Sequence, residues 1–242
     1  MELTPGIRRV GNEIVASYLL IDDRGVTVVD AGLAGHHADL LAELAEAGRS
    51  IDDVRAVVLT HGDTDHLGFA ERLRREHGIP VYVHAADAER GKGGAKPSTS
   101  LGRGIRPWPV VRFFAYAVGK GGAKTEYLTD ARTLEGGERL DLPGSPEIIP
   151  MPGHSPGSIA VLSRDLDAVF VGDALTTRHV LTGRRGPQPA PFTDDPDDAL
   201  ESLDRIADTG VAWVLPGHGT PWNRGAAEAV RLVREAAAAT AR

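Results

Sequence analysis

The sequence predicts a layered α/β (α+β) fold, and three observations carry that prediction. In the first half, short β-branched runs alternate with amphipathic helical stretches. The second half repeats the pattern, with apolar runs at 146–150, 158–163 and 168–172 ahead of two further helical stretches. At 242 residues and 25.6 kDa, the chain should leave roughly 10,000 Å² exposed out of about 37,000 Å² unfolded, enough for one domain over 1–242 with a sizeable core. Pattern alone does not choose between one sheet and two.

Taken in order, Glu13 to Leu20 reads as a strand, 22–25 as a turn, and the run up to Asp30 as a second strand of a hairpin. Leu40, Leu41 and Leu44 then recur at helical spacing until Gly48 ends the run. A strand ending at Thr60, a helix over 69–78 and a strand over 79–84 follow. In the second half come the three apolar runs, a helix over 197–210, a strand over 211–216 and an Ala-rich closing helix from Ala226 to Arg242.

Residues 90–125 stand apart as a basic, Gly-rich insertion. They hold eight Lys or Arg and no Asp or Glu, so removing their +8 from the net −7 leaves −15 on the rest of the chain. The hexapeptide GKGGAK occurs at 91–96 and again at 119–124, as two expected mobile loops flanking an apolar, aromatic run that begins at Trp108. A lid or wall facing substrate, a homodimer contact and an ordinary surface insertion are the three readings of this segment. Neither hexapeptide fits a phosphate-binding loop.

Composition also excludes. With no cysteine, disulfides, thiolate nucleophiles, Cys-ligated zinc and iron–sulfur clusters are all ruled out, so any metal must sit among His, carboxylate and backbone oxygen. The N-terminal residues lack the apolar core of a signal peptide, and no stretch has the length of a membrane span; the expectation is a soluble cytoplasmic protein without membrane or nucleic-acid partners.

The strongest chemical signal follows the strand that ends at Thr60. His61, Asp63, Asp65 and His66 fall within six positions of a Gly-containing turn. One of them would suffice to cap the next helix. Two imidazoles with two carboxylates are better explained by converging on cations. Three later strand ends carry His or Asp beside Gly: His154 in PGHSPG, Asp173 in VGDAL and His218 in PGHGT. His77 needs no more than a helix-end role; His36 and His37 follow Gly35 near Asp30, where they could support the site, and His179 lies between Asp173 and the next helix, where it could approach a substrate.

In this order the residues resemble the metallo-beta-lactamase superfamily, over roughly Asn12 to Trp222. The resemblance implies a four-layer αββα sandwich with a two-metal centre along one edge of its sheets. It implies His61, Asp63 and His154 on one ion, Asp65, His66 and His218 on the other, Asp173 between them, and Asp30 ordering the metal loop. Asp63 departs from the family pattern, which has a histidine there. Two divalent ions are implied, zinc first, with iron or manganese admitted because a carboxylate is a harder ligand than imidazole; a single ion in the second group, or a degenerate centre, stays open.

The implied chemistry is hydrolysis, with a metal-bound hydroxide oriented by Asp65 as the catalytic carboxylate and attacking the carbonyl of a small-molecule substrate. The basic segment favours an anionic ester or thioester. Trp108, Phe113 and Tyr116 are candidates for an apolar wall, with His179 as a further substrate contact. The stretch from Gly153 to Ser158 is similar to that of hydroxyacylglutathione hydrolases. Lactone, beta-lactam or phosphodiester hydrolysis, an iron-dependent redox role and a non-catalytic metal-binding interaction protein are the alternatives.

Overall fold

A computed structural model describes residues 1–94, 96, 99, 101 and 104–241. The first half forms β1 (Glu2–Thr4), β2 (Ile7–Gly11), β3 (Ala16–Asp22), β4 (Gly25–Val29), α1 (His36–Glu46), β5 (Val54–Val58), α2 (Ala70–His77), β6 (Val81–His84), α3 (Ala88–Gly91), α4 (Pro107–Gly119) and β7 (Arg132–Leu134). The second half forms β8 (Glu147–Pro150), β9 (Ile159–Ser163), β10 (Ala168–Gly172), β11 (Thr176–Arg178), β12 (Arg185–Gln188), α5 (Pro196–Ser202), α6 (Asp204–Ala207), β13 (Trp213–Pro216) and α7 (Ala226–Ala241).

Two sheets result. The first runs β1-β2-β3-β4-β5-β6-β7, antiparallel up to β4 and parallel beyond it; the second runs β13-β10-β9-β8 with β10 and β13 parallel. The hairpin β11–β12 stands beside them.

Strand periodicity sorts the apolar residues into layers. Leu19, Val28 and Val57 face outward onto Leu40, Leu44, Phe69 and Leu73 of the α1 and α2 side. Their neighbours Tyr18, Leu20, Val29 and Val58 face inward and meet Ile148, Val161, Phe170 and Leu215 of the second sheet. On its far face that sheet presents Leu162, Val169, Val171 and Val214 to Leu203, Ile206, Ala229 and Val233. Helix, sheet, sheet, helix is the order of the four layers. The Tyr18 hydroxyl donates to the Pro216 carbonyl at 2.7 Å and ties the inner faces together.

Several sequence expectations shift in detail. The strand expected from Glu13 begins only at Ala16, because residues 12–15 form a loop over the site. Strands β1, β2 and β7 and the hairpin β11–β12 lie outside the runs that the sequence marks as strands. The helix expected over 197–210 is two short ones, α5 and α6, interrupted at Leu203. The aromatic run is α4, opened by Pro107 at its first turn. The loop expected from the first Gly-Lys copy falls partly outside the described residues, as do Arg103 and the last residue of the closing helix. Among the described residues, no helix is long and apolar enough to cross a membrane.

Candidate metal centre

Every residue singled out for metal lies just past the C-terminal end of a strand, on one edge of the paired sheets. Asp30 follows β4, His61 to His66 follow β5, His154 follows β8, Asp173 follows β10, and His218 follows β13. That edge is where parallel strands deliver their loops. Close approach there demands glycine: a Cβ on Gly217 would fall 2.4 Å from the His66 ring and 2.8 Å from Asp173 Oδ1. Gly172 has φ of +50°, and a Cβ there would lie 2.2 Å from Thr60 Oγ1.

The four imidazoles share one arrangement. His66 Nδ1 donates to Asp30 Oδ2 at 2.9 Å, and His218 Nδ1 donates to the Ile14 carbonyl. The Thr60 hydroxyl donates to Asp30, which leaves its oxygen to accept from His61 Nδ1 at 3.0 Å. Likewise Thr193 donates to the Ala190 carbonyl and accepts from His154 Nδ1 at 3.3 Å. A proton fixed on each Nδ1 leaves each Nε2 with its lone pair turned inward. The Nε2 atoms of His61, His66 and His154, with Asp173 Oδ1, are buried and have no hydrogen-bond partner. Buried acceptors without partners are costly, and a cation is the partner that four convergent lone pairs fit.

The carboxylates complete the set. Asp63 Oδ2 lies 3.9 Å from His61 Nε2 and 3.8 Å from His154 Nε2. Asp65 Oδ2 lies 3.5 Å from His218 Nε2. Asp173 reaches both sides, with Oδ1 3.5 Å from His66 Nε2 and Oδ2 3.8 Å from His154 and 3.1 Å from His218. Three overlapping groups could each hold an ion: His61, Asp63 and His154; Asp65, His66 and His218; and His61, His66 and Asp173. This is a His/Asp site with room for two closely spaced metal ions.

Electrostatics inside the cluster are strongly coupled. Burial opposes charge on His66 and His218, yet Asp30 and Asp173 lift His66 to about 10, and Asp173 and Asp65 lift His218 to about 9. Burial, reinforced by His66 and His154, pushes His61 well down. Burial would raise the Asp63 and Asp173 carboxyls, but the surrounding imidazoles, joined at Asp63 by Arg90 and Lys96, hold both well below the usual carboxylate range. The carboxylates attract positive charge to this edge, which a divalent ion supplies more compactly than protons do.

Several supporting residues carried no readable sequence signal. Asp87, fully buried, accepts from Gly62 N and Gly157 N at 2.8 Å and from Ser155 Oγ at 2.7 Å, so one carboxylate joins the His61 loop to the His154 loop. Arg90 contacts Asp63 and Asp194. Thr60 and Thr193 brace imidazoles. Asp30, expected to order the metal loop, accepts from Thr60 N at 2.7 Å as well as from His66, and adopts a φ of 61°.

A cavity of about 410 Å³ opens onto Asp63 and Asp65 and is walled by Leu33, Phe113, Phe114 and Phe192. Phe113 also packs edge-on against His218, with ring centroids 6.0 Å apart. The other expected wall residues lie elsewhere. Trp108 is 75% exposed on the outer face of α4, and Tyr116 is engaged with His36 Nε2 at 2.8 Å. His179 lines a separate cavity of about 450 Å³ beside α7 and accepts from Leu181 N. The basic segment is largely ion-paired: Arg90 and Lys96 to Asp63, Lys92 to Glu89, Arg112 to Glu13 and Lys120 to Asp39.

The model of the metallo-beta-lactamase superfamily matches residues 10–218, nearly the whole span that carries this site. The chain belongs to the metallo-beta-lactamase superfamily. Among curated relatives, the Bacillus subtilis protein YobT, itself uncharacterized, is 28% identical over 213 residues, covering 85% of this chain and 83% of its own. The metallo-beta-lactamase family protein TTHA1429 from Thermus thermophilus superposes with a TM-score of 0.71 over 98% of this chain and 81% of that one, at 24% identity. TTHA1623 in a di-iron-bound form gives a TM-score of 0.62 at 27% identity, covering 90% of this chain and 93% of that one. Superfamily membership and the paired His/Asp groups support a metal-dependent hydrolase.

Proposed function

We propose that this member of the superfamily hydrolyses a small ester or thioester at a two-ion centre. The observation that carries the reading is the set of four imidazoles, each oriented through Nδ1 and converging through Nε2 with three carboxylates beside an apolar cavity. In this reading His61, Asp63 and His154 hold one ion, Asp65, His66 and His218 hold the other, and Asp173 serves both. Zinc suits imidazole donors; the Asp63 carboxylate, together with the relative described in a di-iron-bound form, also supports iron, and manganese fits the same hard oxygen donor.

When bound, the ions acidify water and stabilise negative charge on an attacked carbonyl oxygen. The protein's own groups do the rest. Asp65, whose side chain is 20% exposed while the other donors are buried, borders the cavity and accepts the proton of an incoming water nucleophile at its carboxylate. Phe113, Phe114 and Phe192 hold an apolar acyl or leaving group and exclude bulk water from it. Asp30, Thr60 and Thr193 keep the imidazoles aimed. Among the described residues, the two cations that border the cavity, Arg90 and Lys96, are both engaged by Asp63. The anionic preference that the basic segment suggested therefore loses the free positive charge it needs, and an uncharged ester or thioester is the class favoured.

Metal analysis of the purified chain, followed by hydrolysis assays on ester, thioester, lactone, beta-lactam and phosphodiester panels with Zn, Mn and Fe, tests this. Two ions per chain and chelator-sensitive turnover of ester or thioester substrates are expected, with both lost in Asp173→Ala. Turnover confined to phosphodiesters, or a metal content unchanged by Asp173→Ala, would overturn it.

A further inference from the structure

Asp63 stands where the family pattern has a histidine, and its two oxygens face different ways. Oδ2 looks toward His61 and His154 at 3.9 and 3.8 Å. Oδ1 receives Arg90 Nε at 2.5 Å and Lys96 Nζ at 2.6 Å. Arg90 is itself buried, 7% exposed, and its Nη1 reaches Asp194 Oδ2 at 2.6 Å. Asp194 in turn donates its backbone N–H to the His154 carbonyl at 3.2 Å, next to Thr193, which braces the His154 ring. Arg90 thus links two members of one ion-holding group, Asp63 directly and His154 through the 193–194 segment.

A carboxylate differs from an imidazole in the respect that matters here. The ring of a histidine is aimed by one hydrogen bond at Nδ1, whereas a short carboxylate can swing about its Cβ bond and present either oxygen. A planar guanidinium that grips one oxygen from a fixed position removes that freedom.

We propose that Arg90 is the positioning residue for the first ion: it fixes Asp63 with Oδ2 turned to His61 and His154, so that the Asp63–Arg90 pair together does what a third histidine does elsewhere in the family. The inference rests on the two-ion reading above and extends it to a residue 27 positions after Asp63. Lys96 is 38% exposed at its side chain and contributes charge to the same oxygen without fixing its direction.

The test is metal binding, read without turnover. Chelator-stripped protein is titrated with Zn²⁺ and with Co²⁺ against a competing indicator, and stoichiometry is checked by elemental analysis. The wild type should take two ions. Arg90→Gln should weaken one of them by tenfold to a hundredfold, the range for a residue that orients a ligand, and leave the other within threefold. Lys96→Met should leave both within threefold.

The decisive comparison is a reversal of sign. In an Asp63→His background Arg90 faces a ring it has no reason to hold, so adding Arg90→Gln there should tighten the first ion. Should Arg90→Gln fail to fold, Arg90→Lys and Asp194→Asn break the same brace and should weaken the same ion. A wild type that holds one ion at the second group alone overturns the two-ion reading and this inference together. A two-ion wild type whose first ion is bound as tightly in Arg90→Gln, or is weakened equally by Lys96→Met, overturns the positioning role alone.

Discussion

His36 shows how a buried side chain away from the candidate ligands governs the loop that serves them. Its Nδ1 accepts from Leu33 N at 3.2 Å, so the ring proton sits on Nε2, where it is donated to the Tyr116 hydroxyl at 2.8 Å. One ring therefore fastens the 31–35 loop, which follows Asp30, to α4 above the cavity. A second proton would set an N–H against the Leu33 N–H in a fully buried site, and burial lowers the group from 6.5 to about 4. A lowered pKa for a base means the folded state favours the neutral ring. The stabilisation is complete above pH 6.5 and is lost as pH falls toward 4, with about 2 kcal/mol gone by pH 5. Urea unfolding of wild type and His36→Gln at pH 7.5 and pH 5 checks this. The stability gap between them should shrink by about that amount, and a gap that does not change with pH would be evidence against a neutral buried ring.

At the scale of elements, the site is an agreement between loops that β5, β8, β10 and β13 deliver to one edge. Asp87, just before α3, enforces part of it by accepting from the Gly62 and Gly157 amides and the Ser155 hydroxyl. Asp87→Ala would strand two buried amides, while Ser155 keeps Ser158 Oγ at 2.8 Å. The expected loss of stability is roughly 2–5 kcal/mol, measurable by urea unfolding of chelator-stripped protein. The contrast with the candidate ligands explains what the sequence made legible. His61, Asp63, Asp65 and His66 crowd into one turn, and His154, Asp173 and His218 each sit beside glycine after an apolar run, so chemistry and punctuation coincide. Asp87 and Arg90 occupy an ordinary Ala-rich stretch whose partners are distant in sequence, and nothing local marks them. The loop at 12–15 was hidden for a related reason: Ile14 and Val15 extend the apolar run of β3, although they cover the site and the Ile14 carbonyl orients His218. In the basic 90–125 segment the charge was legible but its partners were not: Arg90 and Lys96 pair with Asp63, Arg112 with Glu13 and Lys120 with Asp39.

For the molecule as a whole, the donor set is divided between the two halves of the sandwich. His61, Asp63, Asp65 and His66 come from loops of the seven-stranded sheet, and His154, Asp173 and His218 from loops of the four-stranded one. Either ion in the proposed assignment takes donors from both halves, so binding would cross-link the sheets at their open edge while the Tyr18–Pro216 hydrogen bond and the inner apolar layer join them within. Free metal at a hundred times its dissociation constant stabilises the folded state by about 2.7 kcal/mol per site. Two such sites amount to about 5 kcal/mol, and in a chain of this size each kcal/mol moves the thermal midpoint by about 2–4 °C. Chelation should therefore lower the midpoint by roughly 10–20 °C in scanning calorimetry, and restoring metal should recover it. Removing the carboxylate that lies between the two groups with Asp173→Ala should abolish most of that metal-dependent difference. A midpoint insensitive to chelation would mean that the two halves are held by their apolar layers alone and that the converging imidazoles do not bind ions tightly.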